Sequence, residues 1–566
     1  VTDLAAYFDD EITAMPNLIT TAATTVGALD SGSITSGFGT INNGSSTITT
    51  TGALAAGAVT GTSFNGIPFF SADTSSIYTT DVSGTDDTAT GNSAYGYQAM
   101  DAITTGDNNT AVGYASLTAN TTGAFNAAFG AFSLDINSTG SDNTALGASA
   151  LGANTTGNYN VAVGRAALSS NTTGTRNLAI GYAAYDGSDT ENDNIAIGYE
   201  AMTTNTAGGE NNVAIGNYTM DALTSADANV AIGHYALGAV TTGGTNTAVG
   251  YEALATMTDA TRNTAVGKSA LQNATGSFNT AVGSAALENN STGAQNVAVG
   301  DYALNNNTTA SFNTALGQGS MLENTTGTRN MAIGANAYQN SDTENDNMAI
   351  GYNAMIINTA GGTRNIAIGN YALDALTSGD DNVAVGYDAG TAINTGSANV
   401  AIGAYALDST TSGDNNTAVG KVALGANTTG AGNTAVGYAS LDASSTASNN
   451  TAVGLRALST NSTGADNVAV GKNAALANTT AASIVAIGSN TLESNTTGGE
   501  NTAVGQGAMQ ANTTGTYNIA VGTNALAANV GGTRNIAIGV NAMDGSDTES
   551  DNIAIGYDAM TTNNAG

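Results

Sequence analysis

The chain has 566 residues, with 73 Gly, 2 Pro, no Cys, no Trp and one His, and its 44 acidic against 10 basic side chains give a net charge of −34. That balance argues against nucleic acid and anionic membrane as partners, since both need Lys or Arg against phosphate. No apolar run approaches the roughly 20 residues of a membrane span, so no membrane insertion is expected within this segment.

Residues 1–28 predict a short helix and linker, with Thr2 as cap and Leu4, Phe8 and Ile12 on one face, ending near Pro16. Residues 29–91 alternate Thr, Ile and Ser with Gly and predict the short strands of an interwound β-rich shaft. The chain starts at Val1 and stops inside a repeat at Gly566, so its natural ends are expected to lie beyond it.

From Asn92 onward the motif N-x-A-φ-G returns 28 times, in 24 steps of 17 residues, two of 18 and one of 16. The long steps each add a Gly (Gly208-Gly209 and Gly361-Gly362), which marks a turn that tolerates insertion. The first position is Asn in 27 copies, Ile484 being the exception, and the third and fifth are always Ala and Gly. The fourth is always apolar, the eighth small, the ninth usually Leu or Met, and the twelfth to fifteenth often read Asn-Thr-Thr-Gly.

Helix would be costly with this much Gly, Thr and Val, and no 3.6-residue apolar stripe appears. The period predicts an all-β parallel β-solenoid over 92–566. Each coil would carry a strand at N-x-A-φ-G and a second through the ninth position. Coils stacked at ~4.8 Å would give a rod of roughly 130 Å. Asn109, Asn143, Asn160 and Asn177 are expected to form a side-chain ladder along the stack. Because alternate strand residues face opposite sides, filling the coil from positions two and four would turn position three outward. Ala111, Ala145, Ala162 and Ala179 are then expected to pack against another chain.

The residue before each Asn runs Arg329, Asp346, Arg364, Asp381 up successive coils, which predicts a charge ladder that fixes registry. The turn SDTENDN at 188–194 brings Asp189, Glu191 and Asp193 close enough in sequence to offer hard oxygens to Ca²⁺; a solvated acidic turn is the other reading. No further cofactor is expected. Tyr97, Tyr114, Tyr218, Tyr235, Tyr302, Tyr371 and Tyr405 lie at variable positions six and seven, where they would serve as strand residues or stack on sugars. Without Cys and with only His234, a nucleophile-base arrangement lacks parts, and no enzymatic activity is expected.

Repeats such as NVAVGRAAL (160–168), NIAIGYEAM (194–202) and NTAVGYASL (433–441) resemble the head repeats of YadA-like trimeric autotransporter adhesins. The longer 17-residue form resembles repeats of bacteriophage tail-fibre proteins, as does the stretch LDSGSITSGFGTINNGSSTITTTG (29–52). The resemblance implies a left-handed β-roll, a homotrimer around one axis, and an extracellular place on a virion tail or cell surface. It also implies attachment to a host, with the receptor or glycan met by a tip outside this chain. A bacterial adhesin head is the alternative; an ice-binding solenoid and a polysaccharide-cleaving tail spike are more remote.

Overall fold

The computed structural model describes residues 63–64, 67–68, 76–79, 88–545 and 547–561, all within the unit 62–566. The expected helix at 1–28 and most of the shaft at 29–91 lie outside the described residues. A short antiparallel pair, Ser63–Phe64 with Ile67–Pro68, precedes the repeats.

From there the chain is a parallel β-solenoid. Of the 33 strands among the described residues, five have two residues and 28 have three, the latter running from Ser93–Tyr95 to Ile553–Ile555. Each three-residue strand pairs in parallel with the next, with like positions opposite one another: Thr110 with Ala127, Ala111 with Ala128, Val112 with Phe129. Ladder and repeat therefore share one register, and the 16- and 18-residue coils do not break it. The ladder already includes Ile77–Tyr78, within the stretch expected to be shaft. No helix occurs among the described residues.

The inside of the coil differs from expectation by one residue. Ala111, Ala145, Ala162 and Ala179 are completely buried within their own chain, whereas position four points out, with Val112 at 38% exposure and Leu146 at 50%. A side chain with no exposure in its own coil cannot contact a second chain, so these alanines are not interchain contacts. The alternation holds but its phase is opposite, and in a strand such a slip exchanges every side chain between faces. The coil interior is narrow: only a methyl group fits on the strand side, opposite the buried ninth-position Leu117 or Leu151.

The expected second strand is a chain of tight turns instead. Position seven and position nine are left-handed (φ 51° at Ala115, 52° at Leu117), as is position seventeen (φ 60° at Phe125). Such conformations cost a non-glycine residue about 1 kcal/mol or more, but here they aim the backbone along the stack. Ala115 N–H donates to Tyr97 O in the coil before, and Leu117 N–H to Ser133 O in the coil after, both at 2.9 Å. Fifth-position glycine is a stricter requirement. At Gly113, φ is 144° and a Cβ would lie 2.4 Å from Gly130 O.

Candidate functional surfaces

The first-position ladder occupies the core. Asn109 Nδ2 donates to Gly123 O of its own coil at 2.9 Å, and its Oδ1 accepts the Asn126 backbone N–H at 2.9 Å. Asn143, Asn160 and Asn177 repeat this, with Asn160 N–H on Asn143 Oδ1 and Asn177 N–H on Asn160 Oδ1 at 3.0 Å each. A second buried ladder, not anticipated from the sequence, runs through position twelve: Asn137 Nδ2 reaches Asn120 Oδ1 at 3.0 Å, and Asn154 Nδ2 reaches Asn137 Oδ1 at 2.7 Å. The recurrent Asn of Asn-Thr-Thr-Gly is its signal, masked because Asn before Gly is equally the mark of a turn.

The outward side of the strand is the one surface common to every coil. Position four is apolar throughout and half-exposed, as at Val266, Val299, Ile402 and Ile538. Position two, Thr, Val or Ile for the most part, stands beside it half-buried. The result is an apolar row at position four along the whole stack, with a mixed row of Thr, Val and Ile beside it.

Two columns flank that row, and they hold every basic residue of the chain. In column seventeen Arg329 forms a two-pronged ion pair with Asp346, at 2.6 and 2.8 Å, and Arg364 pairs identically with Asp381. Arg176–Asp193 and Arg534–Asp551 do the same. The four residues of the expected ladder form two hydrogen-bonded pairs, and between the pairs Asp346 and Arg364 attract one another through space without a hydrogen bond. Hydrogen bonding to its arginine holds each aspartate below the ordinary carboxylate range. Arg262 lies 5.3 Å from the Phe278 ring centre in the same column.

Column six and seven carries Lys268, Lys421, Lys472, Arg165 and Arg456 together with the tyrosines. Tyr97 and Tyr114 stack with ring centres 5.7 Å apart, as do Tyr218 and Tyr235 at 5.2 Å. Tyr371 and Tyr405 meet Tyr387 edge to face. Rings that meet one another along the stack have less open face for a sugar; Tyr302 has no such neighbour among the described residues and is 48% exposed. His234 is packed among Tyr218, Tyr235 and Tyr251.

The acidic turn separates its three carboxylates. Glu191 is buried, and its Oε2 accepts the N–H groups of Asp189 and Thr190 at 2.9 and 3.0 Å. Its Oε1 accepts the N–H of Gly208, one of the two glycines at the insertion, at 3.1 Å. Asp189 meets the Thr172 hydroxyl, and Asp193 faces Arg176. Glu344 repeats the arrangement with Gly361. The sequence neighbours thus point to three different partners, and among the described residues no group of three or more potential metal ligands gathers. Nearby, Tyr185 is buried with its hydroxyl 2.6 Å from Asn194 Nδ2, and burial pushes its phenol up.

Among the described residues no helix is long and apolar enough to cross a membrane. Comparison of the chain with protein-family models and with curated proteins gives no match.

Proposed function

We propose that the chain is a rigid segment of a homotrimeric attachment fibre of the bacteriophage tail-fibre kind, which holds a receptor-binding tip away from the particle. The observation that carries this reading is the uninterrupted apolar row at position four. Contiguous exposed apolar surface of that extent marks an interaction site, and a row with the period of the coil is matched best by further copies of the same chain. The backbone is saturated with bonds between coils, which suits a stiff spacer. The likeness of the repeats to YadA-like heads and tail-fibre repeats supports the trimer and the extracellular setting.

A bacterial surface adhesin head is the second reading, since the same row would serve it. An ice-binding face would need free threonine hydroxyls in a regular array. The position-thirteen hydroxyls instead donate to the next coil, as Thr121 does to Ser138 O and Thr155 to Thr172 O, both at 3.0 Å. A polysaccharide-cleaving spike would need two free carboxylates in one groove. Asp221 and Glu252 do line one, but Glu252 accepts a bond from Gln272 at 2.7 Å.

Light scattering on the full chain tests the trimer. A mass of three times 55.5 kDa is expected; a folded monomer would remove the proposed role of the apolar row. The double variant Val266→Glu, Val299→Glu should lower the mass while leaving the circular dichroism of the solenoid unchanged.

A further inference from the structure

In a regular stretch of the inner ladder, the twelfth-position asparagine uses both amide hydrogens in the same way. Asn137 Nδ2 donates to Asn120 Oδ1 in the coil before at 3.0 Å, and to Gly140 O in its own coil at 2.9 Å. Asn154 repeats both bonds at 2.7 and 3.1 Å. At Ser444 the pattern breaks. Serine there follows Asn427 of the preceding coil, and both residues are completely buried. Asn427 Oδ1 and Ser444 Oγ have no hydrogen-bond partner within the chain. Ala447 O, which holds the place of Gly140 O, keeps its bond from Asn433 Nδ2 at 2.8 Å, but serine has no amide to supply the other.

Leaving an acceptor and a hydroxyl buried without partners carries a real energetic cost, and native cores seldom contain such a pair one above the other. We propose that a single water molecule binds in the core between Asn427 and Ser444 and replaces the missing carboxamide NH₂. Its two hydrogens are donated to Asn427 Oδ1 and Ala447 O, the two acceptors that an asparagine Nδ2 would serve. Its oxygen accepts the Ser444 hydroxyl. Three partners are typical of a buried water. Serine suits the site on two counts, being shorter than asparagine and carrying a donor of its own.

The other serines of this column among the described residues sharpen the assignment. Ser188 and Ser341 also follow asparagines, Asn171 and Asn324, whose Oδ1 atoms have no partner. Their own hydroxyls, however, are 3.4 Å from Glu191 Oε2 and 3.2 Å from Tyr338 O. Of these three serines, only Ser444 leaves donor and acceptor both open.

The test is a crystal structure of the full chain at a resolution that orders solvent, with long-lived waters counted by magnetic relaxation dispersion. A solvent peak within hydrogen-bond distance of Asn427 Oδ1, Ser444 Oγ and Ala447 O is expected. In S444N the peak should give way to the side-chain amide, and the count should fall by one. A dry site in the parent, or a count that S444N leaves unchanged, overturns the proposal. Should S444N not fold, S444A serves: its water keeps two partners and must exchange faster, and an unchanged residence time overturns the proposal equally.

Discussion

Asn109 Oδ1 accepts the backbone N–H of Asn126 at 2.9 Å while Asn109 Nδ2 closes its own coil on Gly123 O. One side chain thus binds a coil to itself and to its successor, which accounts for Asn in 27 of 28 first positions. Ile484 shows what its loss entails. Its N–H still reaches Asn467 Oδ1, but the Gly498 carbonyl of its coil is served by Asn495 and by Asn501 of the next.

In the middle of an unbroken run, Asn160→Ala should leave Asn177 N–H without its partner and Gly174 O with only the bond from Asn171 Nδ2. At about 1–3 kcal/mol for the buried N–H left unpaired and about 1 kcal/mol for the bond lost at Gly174 O, the expected loss is roughly 2–4 kcal/mol. Solenoid stability is a sum of local terms, so hydrogen exchange is the right measurement. Protection of the Asn177 amide should collapse while that of distant coils stays.

The phase of the strand gives the second prediction. Ala298 is completely buried and Val299 is 38% exposed. Ala298→Leu forces bulk into a filled interior and should cost about 1–3 kcal/mol. Val299→Leu adds its bulk outside the coil, on the face proposed to meet another chain, and should cost the coil stack less than Ala298→Leu. Equal effects of the two substitutions would mean that the inner and outer faces have been assigned wrongly.

Period, strand position, all-β class and parallel stacking were legible because each coil repeats one set of constraints and the copies average out accident. The phase was not. Alternation says only that positions two and four share a face, and invariant Ala fits a crowded interior as well as a crowded interface. Choosing between them takes the width of the coil, which depends on the left-handed turns at positions seven and nine. Those turns hold Ala115, Tyr218, Glu252 and Val422 alike, so residue type gives no sign of them. The second ladder was visible as a recurrent Asn, yet Asn is common in turns for reasons of its own. The charge column was readable because Arg followed one coil later by Asp, as at Arg329 and Asp346, is the pattern that pairing across stacked coils produces.

Glu191 leads to a third prediction. Its carboxylate caps two N–H groups of its own turn and holds Gly208 in the following 18-residue coil. Glu191→Ala should therefore destabilise both coils, by about 1–3 kcal/mol for the donors left unpaired. Deleting Gly208 in the same chain should recover part of that loss, since one of those donors is removed. Because the three carboxylates of the turn face separate partners, millimolar Ca²⁺ should leave the melting midpoint unchanged. A rise with Ca²⁺ that Glu191→Ala abolishes would restore the acidic turn as a metal site.

The last prediction concerns pH. Burial, reinforced by Asp388, pushes the Asp374 carboxyl up to about 6 from an ordinary 3.8. Asp135, Asp186, Asp221 and Asp408, all at position ten, are raised for the same first reason. A carboxyl raised by folding binds its proton more tightly in the folded state. Its contribution is fully present below the unfolded value and is lost as pH rises through the folded one. Acidification from pH 7 toward 4 should therefore stabilise the solenoid, and relief of repulsion within a chain of net charge −34 acts in the same direction. Asp193, Asp346, Asp381 and Asp551 work oppositely, because their arginines lower them; what they add is lost as pH falls below the ordinary carboxylate range. The thermal midpoint should pass through a maximum on the acid side of neutrality. Asp374→Asn should melt higher than the parent at pH 7 and match it more closely near pH 4. A midpoint that falls steadily from pH 7 downward in both proteins would mean that the position-ten carboxyls titrate normally.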